Sequence, residues 1–203
     1  MRIVRERPAV PPLLAQAHAL LRAGKVEAAA DAYARASQDD PASADALLGL
    51  AVIAERSGDF ALAEQRYRQA LAADPRKVDA EAGLLNLVGG SDPGGSESRL
   101  KELLAAHPGG AVAHFALGNL HAASARWAEA RLSYRRALAA DRGNPDYLFN
   151  LAVSLDRLHR PTEAGAAYRA ALAALARRGG GFARETAEAR IAALTPALPL
   201  PAQ

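Results

Sequence analysis

Cysteine is absent from the chain, which rules out disulfides, zinc–thiolate centres and cysteine nucleophiles. Aromatic residues are scarce at 5%, although half of all residues are apolar. A core of that composition is built from Ala and Leu, both strong helix formers, with Ala small enough to let helices approach closely. No apolar run reaches the ~18–20 residues of a membrane-spanning helix. The opening stretch MRIVRERPAVPP carries charge but no apolar segment of the secretory-signal kind. As written, the chain is expected in the cytoplasm, with the periplasm as the alternative if it belongs to an anchored or exported precursor.

Lysine is nearly missing too, with only Lys25, Lys77 and Lys101. Net charge is +3, unevenly placed: residues 1–110 carry 13 basic and 15 acidic side chains, residues 111–203 carry 12 and 7. That mild C-terminal excess suits an acidic partner but is far from the charge of a dedicated phosphate binder, which argues against nucleic acid. Catalytic signatures are missing as well. Gly89–Gly95 is glycine-rich but follows a helical pattern and has no Lys-Ser/Thr after it, so it is no phosphate loop. There is no G-x-S-x-G elbow and no His-Glu-x-x-His. His114 and His121, seven apart, share a helix face without a carboxylate ligand and read as packed or solvent-facing side chains, not as a metal site. The expectation is a protein without enzymatic activity, metal or cofactor.

What is present is a repeat. Ala-x3-Tyr occurs at Ala29/Tyr33, Ala63/Tyr67, Ala130/Tyr134 and Ala164/Tyr168, with a 34-residue step within the first and the last two. Ser96/Leu100 fills the slot between them, so four of five tyrosines stand in one register. Other columns agree: Ala36, Ala70, Leu103, Ala137 and Ala171 after the aromatic, then Pro41, Pro75 and Pro108, and upstream Ala17, Ala51, Leu85, Gly118 and Ala152. A period of this length marks stacked helical units. Residues 44–77 are the cleanest. Leu47, Leu50, Ala51 and Ala54 form one helical stripe, Ser57-Gly58-Asp59 breaks and recaps the chain, and Phe60, Ala63, Tyr67, Ala70 and Leu71 form the second. The third unit is irregular: its first helix ends at Gly89-Gly90, and Gly94 and Gly95 fall in the first turn of the next, each costing up to ~1 kcal/mol relative to Ala.

These columns resemble the tetratricopeptide repeat family, whose unit is a helix–turn–helix ending in Pro. The resemblance covers residues 10–178 as units 10–43, 44–77, 78–110, 111–144 and 145–178. It implies an all-α fold, a right-handed superhelix of five helix pairs. Residues 1–9 precede it as a disordered segment. After Gly179-Gly180-Gly181, the segment 182–194, with Phe182, Ala189, Ile191 and Leu194 among charges, is expected to cap the last pair; 195–203 is an extended, proline-rich tail.

In the family, the first helix of each pair lines a concave face that holds extended peptides or partner helices. Carried over by repeat position, the lining side chains are Leu14, His18 and Arg22; Leu48, Val52, Glu55 and Arg56; Asp79, Ala82 and Asn86; and Val112, Phe115, Asn119, Phe149, Asn150, Val153 and Arg157. Asn119 and Asn150 stand where related peptide binders carry paired asparagines, whose amides match a peptide bond in either sense. Members that clamp a terminal carboxylate have Lys where this chain has Phe115, so Phe115 and Phe149 point instead to an apolar side chain or a helix face. The expected partner-binding set is Val52, Arg56, Asn86, Val112, Phe115, Asn119, Phe149, Asn150, Val153 and Arg157, acting as a protein–protein interaction scaffold. Two alternatives stay open. The stretch PDYLFNLAVSLDRL is similar to the late repeats of pilus-biogenesis and secretion accessory proteins. RNA binding by helical repeats would require base-reading or basic residues at fixed positions, whereas the positions here are mostly apolar or mixed.

Overall fold

The computed structural model describes residues 12–194. The segments 1–9 and 195–203, expected as a disordered start and an extended tail, lie outside the described residues. Eleven helices and no strand occur among the described residues. They are α1 (Pro12–Arg22), α2 (Val26–Asp39), α3 (Ala44–Arg56), α4 (Phe60–Ala73), α5 (Val78–Val88), α6 (Pro93–Ala106), α7 (Ala111–Ala123), α8 (Trp127–Ala140), α9 (Pro145–Arg157), α10 (Pro161–Arg178) and α11 (Arg184–Leu194). Each odd-numbered helix up to α9 pairs with its successor, each pair leans on the next, and α11 closes the stack against α10.

Local chemistry sets the boundaries. Ser43, Asp59, Asp92 and Asn144 accept hydrogen bonds from backbone N–H groups of the first helical turn that would otherwise lack partners. The turn inside each pair, the third apart, needs one residue at positive φ. Gly24 and Gly58 supply it at 71° and 79°, but Ala125 and His159 hold the same place at 55°, where a Cβ is strained.

The core follows the repeat. Tyr33, Tyr67, Tyr134 and Tyr168 are all buried, and the small columns between them are closed to solvent. Gly49 seats the Tyr33 ring, Gly83 that of Tyr67 and Gly118 that of Tyr134; a methyl group at any of the three would overlap the ring. A buried phenol also needs a partner, and each finds one on the first helix of its own pair. Tyr33 bonds His18 Nδ1 at 2.8 Å, Tyr67 donates to Glu55 at 2.7 Å, Tyr134 to Asn119 at 2.8 Å and Tyr168 to Asp156 at 3.5 Å.

Four side chains depart from expectation. Leu14 faces α2 and Ala82 lies under α7, so both belong to the core and not to the lining. Phe60, expected in a buried stripe, is 60% exposed, because it is the first residue of α4 and precedes the turn that packs. In α11 the packed stripe is buried Ala187 with partly buried Ile191 and Leu194, spaced i, i+4, i+7, which turns Ala189 outward. The third unit is loose, as its glycines suggest. α5 and α6 touch only sparsely, and α6 buries just Ser96, Leu100 and Leu103.

Candidate functional site

Curvature brings the odd-numbered helices around one cavity of about 580 Å³. Val52 and Arg56 from α3, Asn86 from α5, Val112, Phe115 and Asn119 from α7, and Phe149 and Asn150 from α9 all line it. Val153 and Arg157 do not. They line a neighbouring depression with Trp127, where the Arg157 guanidinium lies 5.4 Å from the centre of the indole ring. That cation–π contact occupies one face of the indole ring and places Arg157 over Trp127.

The floor of the cavity is a chain of hydrogen bonds that crosses three units. Tyr134 donates to Asn119 Oδ1; Asn119 Nδ2 donates to Asn86 Oδ1 at 2.7 Å; Asn86 Nδ2 donates to Glu55 Oε1 at 2.9 Å; and the Tyr67 hydroxyl donates to Glu55 Oε2. Burial pushes the Glu55 carboxyl above its usual range, and the Tyr67 and Asn86 donors pull it partly back. Burial, reinforced by the Glu55 charge, drives the Tyr67 hydroxyl far up, so it stays a donor at any ordinary pH. Asn119 and Asn86 are half-buried, and each has spent one of its two N–H groups within the chain. Asn150 sits apart, its Nδ2 given to the Asp146 carbonyl one turn back.

Beside this floor stands an aromatic wall. The Phe115 ring lies 4.8 Å from Tyr147 and 5.8 Å from Tyr134, while Phe149 meets Tyr168 edge-on at 5.6 Å and stacks on Phe182 at 4.3 Å. Phe60 adds an exposed ring at the margin. Several lining groups escape sequence reasoning. Tyr147 and Asp146 belong to the aligned repeats, and Tyr147 stands out as the one tyrosine outside the common register. Arg178 and Phe182 come from the very end of the repeats and beyond it, and only the curvature of the stack reveals them.

A second depression, about 760 Å³, opens on the outer face between α6 and α8. His114 and His121 are both buried in its lining. His114 Nε2 bonds the Pro108 carbonyl at 2.9 Å, leaving Nδ1 without a partner, and His121 Nε2 has only Glu97 at 3.5 Å. Among the described residues no group of three or more His, Asp or Glu side chains is placed to hold a metal ion. No helix there is long and apolar enough to cross a membrane.

Among solved structures, the chain is similar to TTC0263, a thermophilic protein of this repeat class from Thermus thermophilus. Identity is 23% and the TM-score 0.66, over 90% of this chain and 96% of that one. It is also similar to PilW, a type IV pilus biogenesis factor, at 19% identity and TM-score 0.56, over 89% and 91% of the two chains. A third likeness is to pilF of Pseudomonas aeruginosa, at 22% and 0.52, over 90% and 86%. At such identities the likeness is one of fold. No curated protein matches the chain. A family model described as tetratricopeptide repeat matches residues 14–78, 84–145 and 115–179, most of the chain, which therefore belongs to the tetratricopeptide repeat family.

Proposed function

We propose that the chain is a non-enzymatic interaction scaffold that holds an extended peptide segment of another protein in the inner cavity. The observation that carries this reading is the juxtaposition of an aromatic wall, Phe115 and Phe149, with half-buried amides, Asn86, Asn119 and Asn150, in one cavity. Rings anchor an apolar side chain, and amides with spare N–H and carbonyl capacity grip a backbone without reading its sequence. An extended strand suits these amides better than a helix, whose backbone N–H and C=O groups are bonded within the helix itself. Glu55 and Asp146, both with carboxyls raised by burial, line the cavity together with Arg22, Arg56 and Arg178, so it offers both signs of charge and favours no strongly acidic or basic ligand. That weakens both the acidic-partner expectation and the RNA alternative. A role in pilus assembly or secretion finds only fold-level likeness behind it.

The test is selection of linear peptides on phage against the full chain, followed by affinity measurements on the selected peptide. Asn150→Ala and Phe149→Ala should each weaken binding at least ~10-fold, a loss of about 1.4 kcal/mol. Leu132→Ala, on the outer face, should leave it unchanged. Loss of binding on Leu132→Ala with none on the two inner substitutions would move the site outward.

A further inference from the structure

α10 runs 18 residues where α2, α4, α6 and α8 run 14, and the added turn carries the chain back across the inner face. There the segment Arg178–Phe182 forms a strap. Its Gly179 backbone packs on Gly24 in the first pair: a Cβ on Gly24 would lie 2.8 Å from the Arg178 carbonyl carbon. Arg56 Nη2 donates to the Arg178 carbonyl oxygen at 3.4 Å, and the Gly181 N–H donates to Asp146 at 2.6 Å. Arg178 itself is forked onto Asp141 at 2.7 and 2.9 Å. The last unit thus touches the first, and the strap forms part of the lining of the inner cavity.

At the end of the strap, Phe182 lies over Phe149 with the rings 12° from parallel. This is the contact expected of a bound aromatic side chain, made here by the chain itself. The fastening is firmest at Arg178 and slighter toward Phe182. Three successive glycines give the strap wide backbone freedom, and Gly181 is exposed. Arg56 meets the strap through one long hydrogen bond, and Phe182 is only partly buried.

We propose that Phe182 is a tethered occupant of the groove, and that a partner binds by placing an aromatic side chain of an extended segment on Phe149 in its place. The strap then sets the threshold for binding: apparent affinity is scaled by the fraction of molecules in which Phe182 has lifted. This rests on the inner cavity being the peptide site. A ring that served only to seat α11 would lower stability when removed and leave binding alone.

The experiment pans linear phage peptides on the full chain and on Phe182→Ala, then measures the best peptide against both by fluorescence anisotropy, with melting recorded in parallel. Asp146→Asn, which loosens the strap but keeps Phe182, is the second variant should Phe182→Ala fold poorly. The expected result is a peptide with an aromatic residue that binds Phe182→Ala at least ~10-fold tighter than the unaltered chain, as removal of a strap closed about nine-tenths of the time requires. Asp146→Asn should shift affinity in the same direction. With 4-fluorophenylalanine at position 182, saturating peptide should move the fluorine resonance from a stacked to a solvent position. Equal affinity for the unaltered chain and the variants, or an unmoved resonance in the peptide-bound chain, overturns the strap and leaves the groove reading standing. Selected peptides indifferent to Phe149→Ala, or no peptide selected on either protein, overturn both.

Discussion

The inner cavity and the outer depression are comparable in size, about 580 and 760 Å³, but they are finished differently. Inside, the buried hydroxyls of Tyr67 and Tyr134, both Asn amides and both Glu55 oxygens are joined in one continuous chain. Outside, His114 Nδ1 has no hydrogen-bond partner and His121 Nε2 reaches only Glu97 at 3.5 Å, at positions where other units place Leu13, Leu47 and Leu148, or Leu20 and Leu155. The larger hollow lies beside the loosely packed third unit, and the smaller one draws side chains from all five pairs. Volume alone therefore does not mark a site: the inner cavity is built, and the outer one marks where packing between units is poor.

The largest test of that contrast is Glu55→Ala. It strips partners from Tyr67 and Asn86 at once and should cost about 2–4 kcal/mol in chemical denaturation, as removal of one member of a buried polar network does. Glu55→Gln should cost far less near neutral pH. Burial raises the carboxyl's folded pKa, so ionising it as pH rises through that value costs stability, and a neutral amide escapes this cost. Equal losses for both substitutions would dissolve the special status of the inner floor.

Next comes a pair of glycines. Gly83→Ala drives a methyl into the Tyr67 ring and should destabilise by about 1–3 kcal/mol. Gly94→Ala, in the loose third unit, meets nothing closer than Asp92 at 4.0 Å and should stabilise by up to ~1 kcal/mol. Gly95 is not its equivalent. A methyl there displaces the Asp92 carboxylate that caps the helix, so the helix gain and the cap loss should nearly cancel.

On the outer face, His121→Leu should stabilise by up to about 1 kcal/mol where two other units carry Leu, because the ring nitrogens it removes are held only by Ser133 at 3.4 Å and Glu97 at 3.5 Å. A loss of similar size in thermal melting would show that the histidine is satisfied after all. The smallest effect is electrostatic. Hydrogen bonds from Arg126 first, and Lys101 next, hold the Glu97 carboxyl down from 4.5 to about 2. Because the folded pKa is depressed, the stability it lends is present above 4.5 and is lost as pH falls toward 2. Glu97→Gln should flatten the acid limb of a stability–pH curve over that window, by less than about 1 kcal/mol since the pairs are partly exposed.

Much of this was legible in the sequence because a repeat reports the same packing problem five times. Tyr33, Tyr67, Tyr134 and Tyr168 share a register since each fills the same space, and the caps Asp59 and Asp92 announce themselves beside glycine and proline. Lining residues carried over by repeat position reach the cavity at Val52, Asn86 and Phe115. The same transfer misplaced Leu14 and Ala82, which neighbouring helices cover. It also gave no sign that Arg157 would lie over the Trp127 ring in the neighbouring depression. The strap was hidden for a different reason: its contacts to Arg56 and Gly24 join residues more than a hundred positions apart, and they exist only once the curvature of the whole stack is set.

The most direct test of the inner groove is an amide chemical-shift map of the full ¹⁵N-labelled chain titrated with the selected peptide. The account predicts that the largest perturbations fall on Val52, Asn86, Phe115 and Asn150 and on the Gly181 amide that anchors the strap. A map centred instead on Leu104, His114 and Leu132, with the inner helices unmoved, would contradict it.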